Sequence, residues 1–242
     1  MFREIDPRNS AAVAAEILAV YTSLFPGANP AFIQAEFGWA ENAFLGRLPD
    51  YQPIDVRYHD FSHTLQVTLC FARLLQGYKN AGAQPELTPR GFELALLAML
   101  LHDTGYLKER GDDEGTGAKY TLVHVARSAR FAEAILGREH LPPHEILAVQ
   151  NMIRCTGVNT DFSAIPFQNE LEKILGFGLA TADLIGQMAA PDYVERLEIL
   201  FQEFEESNRH NGRVAGPGTF ESAEDLRSQT PAFWENYVLP KI

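Results

Sequence analysis

With 242 residues, 46% of them hydrophobic and 11% aromatic, the chain has ample material for a buried core. The 32 acidic residues outnumber 20 basic ones and leave a formal net charge of −12, which argues against a sequence-independent nucleic-acid binder and against docking on anionic membranes. Only two cysteines occur, Cys70 and Cys155, each in apolar helical surroundings, so they read as buried thiols in a reducing compartment.

In chain order, Met1-Phe2-Arg3-Glu4-Ile5-Asp6 lacks the pattern of a signal peptide, and Glu16 interrupts the apolar stretch that follows. No run reaches transmembrane length, so a soluble, cytoplasmic protein is expected. Helical periodicity dominates, and no alternating strand pattern stands out. Residues 8–23 predict a first helix, closed by Phe25-Pro26-Gly27, and Asn29-Pro30 starts the next. Residues 45–57, with Pro49 and Pro53, read as a loop. Tyr58 to about Gly77 predicts a long helix, followed by a linker over 78–87.

Thr88-Pro89 then opens a helix whose run Leu94-Ala95-Leu96-Leu97-Ala98-Met99-Leu100-Leu101 is apolar on every side and ends on His102-Asp103. The glycine-rich stretch from Lys108 to Gly117 predicts a mobile, solvated loop, since it lacks the ligand spacing of a calcium loop. Further helices are expected over 120–137, 143–156, 169–189 and 192–207. A loop follows from Ser207 through Gly216-Pro217-Gly218, then a capping box at Ser222-Ala223-Glu224-Asp225, and Thr230-Pro231 is expected to cap a final helix. The whole predicts an all-α single compact domain of eight to ten helices over residues 1–242, with residues 1–57 as an N-terminal helical extension packed on it.

The polar residues that interrupt this apolar framework carry the chemistry. A helix buried all round delivers His102 and Asp103 to a dry point, where an unpaired carboxylate costs several kcal/mol. Continuing the face of His59 and His63 gives Val67, Cys70 and Leu74, so His63 is expected to point at the core. Asp183 interrupts an otherwise apolar helix in Thr181-Ala182-Asp183-Leu184-Ile185. A divalent cation would neutralise such groups, with an Arg or Lys partner as the ordinary alternative, and mixed nitrogen and oxygen donors suit Mn, Mg, Fe, Ni or Zn.

The order His63, His102-Asp103, Asp183 resembles the HD superfamily of metal-dependent phosphohydrolases, over roughly residues 58–240. Within it the chain looks most like the catalytic domain of class I cyclic-nucleotide phosphodiesterases. Three stretches carry this likeness: Tyr58-His59-x-x-x-His63-x-x-x-Val67-Thr68, Thr181-Ala182-Asp183-Leu184-Ile185-Gly186-Gln187-Met188, and Phe233-Trp234-Glu235-Asn236-Tyr237-Val238-Leu239-Pro240. The chain departs from that pattern after the HD pair, where Thr104-Gly105-Tyr106-Leu107-Lys108 holds no second histidine, and at Gln229, which lies four residues before Phe233 instead of three.

The resemblance implies that His63, His102, Asp103 and Asp183 ligate one divalent ion, and that Asp103 bridges to any second one. It implies that His59 acts as the general acid, with a second-sphere histidine as the plainer reading. His124 is a candidate for a second metal or for phosphate, and equally for an ordinary histidine on a face with Ser128, Phe131 and Ile135. Lys108, Arg127 and Arg154 are the nearest basic residues for an anionic substrate. The expected function is hydrolysis of a phosphomonoester or phosphodiester in a small nucleotide-like substrate. An HD-type di-iron oxygenase and a non-catalytic nucleotide-binding signalling module are the alternatives, and the oligomeric state is left open.

Overall fold

The computed structural model describes residues 5–158, 160–212 and 219–241. The predicted turn at Gly216-Pro217-Gly218 lies outside them. Nine α-helices account for the described architecture: α1 (Ser10–Leu24), α2 (Ala31–Phe44), α3 (Phe61–Asn80), α4 (Pro89–Leu101), α5 (His124–Arg138), α6 (Pro143–Arg154), α7 (Glu170–Met188), α8 (Tyr193–His210) and α9 (Ala223–Phe233). No strand occurs among the described residues beyond one isolated antiparallel bridge, Tyr51 to Glu109.

Side-chain caps start most of these helices where the sequence places them. Asn9, Asp60, Thr88, Asn169 and Ser222 each accept a hydrogen bond from a first-turn backbone N–H, and Pro89 and Pro143 occupy first-turn positions where no donor is needed. The helix α4 is the axis of the fold, with every residue from Ala95 to Leu101 fully buried. It touches α2, α3, α6 and α7. The α3–α7 pair is close-packed because Gly186 brings its backbone against Val67 and Cys70, where a Cβ would sit 3.1–3.2 Å from them.

Residues from α1 through α7 share one hydrophobic core, so the N-terminal helices complete the same interior as the rest. A smaller cluster of Tyr58, Leu197, Leu200 and Leu226 fastens α8 and α9 over the segment that precedes α3. The result is a single compact all-helical domain. No single helix among the described residues is long and apolar enough to cross a membrane.

Several boundaries differ from expectation. The helix α3 begins at Phe61, because the Asp60 carboxylate caps the His63 N–H at 2.8 Å. His59 therefore precedes the helix and shares no helical face with His63. Residues 117–120 form a 3-10 turn before α5. The helix α8 runs on to His210. Thr230-Pro231 starts no new helix: Pro231 lies inside α9, which continues into a π-turn over Trp234–Val238. The glycine-rich stretch makes internal contacts and is not wholly solvated, for Asp112 receives Lys119 and the Tyr120 hydroxyl, and buried Lys108 pairs with Asp55 at 2.8 Å.

Candidate metal centre

Four side chains converge at the C-terminal end of α4. His102 and Asp103 end that helix, His63 comes from the first turn of α3, and Asp183 projects from α7. His102 Nε2 lies 3.2 Å from Asp103 Oδ2 and 3.6 Å from Asp183 Oδ1, and His63 Nε2 lies 3.5 and 3.4 Å from the same two oxygens. His63, His102 and Asp103 are almost wholly buried, and ligand atoms from these three lie within 4.8 Å of one another.

A cation fits this cluster on its hydrogen bonding. His102 Nδ1 lies 2.7 Å from the Met99 carbonyl, which can only accept, so Nδ1 carries the proton. In the neutral ring, Nε2 then has only a lone pair to offer, and it faces two carboxylate oxygens. His102 Nε2 and Asp103 Oδ2 are indeed buried without a hydrogen-bond partner. An orphaned pair of this kind costs about 1–3 kcal/mol for each group, and more when one is charged.

The distances agree. A tetrahedron of ligands about 2.1 Å from an ion has edges of about 3.4 Å, and an octahedron edges of about 3.0 Å. A charge-assisted N–H···O contact would instead close to about 2.7–2.9 Å. Burial favours the neutral forms of Asp103 and Asp183, but positive charge on the facing His102 and His63 outweighs it and holds both carboxyls well below the usual range, and a cation would supply that charge with both rings neutral. The His102–Met99 bond is the outer contact that fixes tautomer and ring plane in metal-binding histidines.

Two more histidines border the cluster. His124 Nε2 lies 3.8 Å from Asp103 Oδ1, the oxygen turned away from His63 and His102. Its approach depends on Gly105, whose N–H donates to Ser128 Oγ at 2.8 Å and where a Cβ would overlap the His124 carbonyl. Burial lowers the His124 pKa more than neighbouring Asp103 raises it. His59 is held by Glu203, whose Oε2 is 2.7 Å from His59 Nδ1. Burial works against protonation of His59, but the Glu203 carboxylate prevails and raises its pKa above the ordinary value.

Glu203 escaped the sequence reading. It is buried on α8 and also accepts the backbone N–H groups of Arg57 at 2.8 Å and Tyr58 at 2.6 Å. Its only sequence signal is its place on the Leu197, Leu200, Ser207 face of that helix. Arg196, also from α8, donates to the carbonyls of Arg57 at 3.0 Å and Tyr58 at 2.7 Å, so one helix clamps the whole segment that presents His59.

The proposed basic contacts do not gather here. Arg127 donates to the Gly105 and Leu107 carbonyls at 2.7 Å each, bracing the turn after Asp103. Lys108 is spent on Asp55, and Arg154 bonds Asn151 Oδ1 at 2.7 Å. Access to the centre runs past Asp183, His59 and His124, whose side chains are 16%, 16% and 20% exposed. A groove of about 590 Å³ between α3 and α7, lined by Leu74, Tyr78, Phe177 and Gly178, includes none of these residues.

Fold and site together define an all-helical protein with a buried His63, His102 and Asp103 cluster, bordered by Asp183, that could hold a metal ion. The chain belongs to the Npun_R2479-like family, whose sequence model matches residues 11–242. No curated protein matches it.

Proposed function

We propose that this protein is an HD-type phosphohydrolase, using a divalent ion to cleave a phosphate ester in a small nucleotide-like substrate. The observation that carries this reading is the His59 imidazole, its Nδ1 held 2.7 Å from the Glu203 carboxylate, standing beside the orphaned nitrogen and oxygen of His102 and Asp103. Metal ligands together with a proton donor form the minimal set for phosphate ester hydrolysis.

His63, His102, Asp103 and Asp183 would hold the ion, whose chemistry there would be to acidify a water and to neutralise phosphoryl charge. The remaining steps belong to the chain. Glu203 keeps the proton on His59 Nδ1, which leaves the Nε2 proton of the imidazolium to pass to the departing oxygen as the ester bond breaks.

His124 beside the second oxygen of Asp103 supports one other reading, a two-metal centre of the oxygenase type. The two are separated by assaying phosphomonoesters and cyclic and linear phosphodiesters with Mn, Mg, Fe, Ni and Zn in turn. Ester turnover that chelation abolishes and metal restores is expected. Absence of turnover on every ester, with two irons per chain and oxygen consumption, would replace the hydrolase by the oxygenase.

A further inference from the structure

Tyr106 is the aromatic residue at this centre to which the chemistry above gives no task. It is 1% exposed, and its ring is nearly parallel to two imidazoles. Its centroid is 4.6 Å from that of His59 with 16° between the planes, and 4.7 Å from that of His124 with 19° between them. The two imidazole centroids are 6.3 Å apart. Parallel rings in contact are separated by about 3.5 Å, so imidazoles on opposite faces of the tyrosine would stand at least about 7 Å apart. His59 and His124 therefore lie over opposite edges of one face of Tyr106, their planes tilted 33° to each other, and the tyrosine forms their floor.

The floor is itself fixed from behind. Tyr106 donates its N–H to the Asp103 carbonyl at 3.1 Å, so it is one turn from a ligand. Val56 and Ala118 pack with it, and Gly117 approaches so closely that a Cβ there would overlap the Tyr106 carbonyl. Each imidazole is also bonded at one edge: His59 Nδ1 to Glu203 at 2.7 Å and His124 Nδ1 to the Thr121 carbonyl at 2.6 Å. A ring stacked on one face and bonded at one edge has lost its free rotation about χ2, and its Nε2 keeps a single direction.

We propose that Tyr106 is a positioning residue, a rigid platform that aims the Nε2 atoms of His59 and His124 together at the substrate phosphate. The inference rests on the reading of His59 as proton donor for an ester. The ring forms the platform and the hydroxyl, which bonds the Thr121 side chain, does not, so Tyr106→Phe and Tyr106→Leu should separate. Neither substitution touches a ligand.

The test combines proton NMR with steady-state kinetics on the full chain loaded with Mg or Zn. In the wild type, the Cε1–H protons of both His59 and His124 should show upfield ring-current shifts and nuclear Overhauser contacts to the Tyr106 ring. Tyr106→Phe should keep both shifts and hold kcat within about threefold. Tyr106→Leu should lose both shifts and lower kcat by about 10–100-fold, as misplacement of a reacting group does, with KM and metal content unchanged. Unchanged kcat and histidine shifts in Tyr106→Leu would overturn the proposal, as would contacts from only one imidazole in the wild type. If Tyr106→Leu does not fold, the wild-type contacts decide. If no ester turns over, the hydrolase reading falls, while the histidine signals still decide whether Tyr106 is the platform.

Discussion

Glu203→Gln isolates the charge that holds the His59 proton while keeping the side chain's shape. In the wild type one carboxylate oxygen takes the N–H groups of Arg57 and Tyr58, and the other takes His59 Nδ1. In the variant the amide oxygen must stay on the two backbone donors, so the amide nitrogen faces His59. An amide N–H pointed at Nδ1 is compatible only with a neutral imidazole. The lost charge-assisted bond is worth about 1.5–3 kcal/mol, and at 1.36 kcal/mol per tenfold this lowers the proton affinity of His59 about 10–150-fold. With Glu203 only 6% exposed, solvent screening offers little relief. The assay compares kcat for an ester of an unactivated alcohol with kcat for p-nitrophenyl phosphate. We expect a loss of about 10–100-fold on the first and a much smaller loss on the second, at unchanged metal content. Equal losses on both substrates, or release of the metal, would refute the assignment of Glu203 and His59 to proton donation.

His59→Ala should reproduce that substrate-dependent loss, and adding Glu203→Gln to it should change kcat by less than about threefold, because both act through one proton; additive losses would contradict this. Glu36 is fully buried with neither carboxylate oxygen hydrogen-bonded, and burial followed by the charge of Glu93 raises its pKa well above 4.5. A raised carboxyl pKa makes stability fall by about 1.4 kcal/mol per pH unit from the unfolded value up to the folded one. Glu36→Gln should remove that slope and raise the melting temperature at pH 8 more than at pH 5; a uniform shift would show that Glu36 is ionised in the fold. Gly105→Ala should cost about 3 kcal/mol in urea unfolding, because its Cβ meets the His124 backbone and not a mobile side chain. A loss below about 0.5 kcal/mol would mean that the turn after Asp103 yields freely.

The polar cluster was legible because its members break local rules. His102 and Asp103 end a helix that is apolar on every side, and Asp183 stands alone in an apolar segment, so burial followed from the neighbours. Glu203 breaks no such rule. It sits in a helix with Glu195, Glu198, Glu205 and Glu206, and only the geometry of α8 against Arg57 and Tyr58 distinguishes it from them. His59 was displaced from its expected helical face by Asp60, whose side chain competes for the backbone donor of His63 and delays the helix. Lys108 and Arg127 read as basic residues for an anionic substrate, yet the chain folds back over them and uses both as internal struts. The common direction of His59 and His124 on Tyr106 had no trace in the spacing, since it joins residues from three separate segments.

The central claim is that His63, His102, Asp103 and Asp183 hold a divalent ion. Metal content per chain, measured after reconstitution and extensive dialysis of the wild type, Asp103→Ala and His102→Ala, tests it most directly. At least one tightly held ion per wild-type chain is expected, none in either variant, and a melting temperature that falls on chelation of the wild type alone. Full occupancy in both variants, or a wild type that retains no ion while folded, would contradict the account.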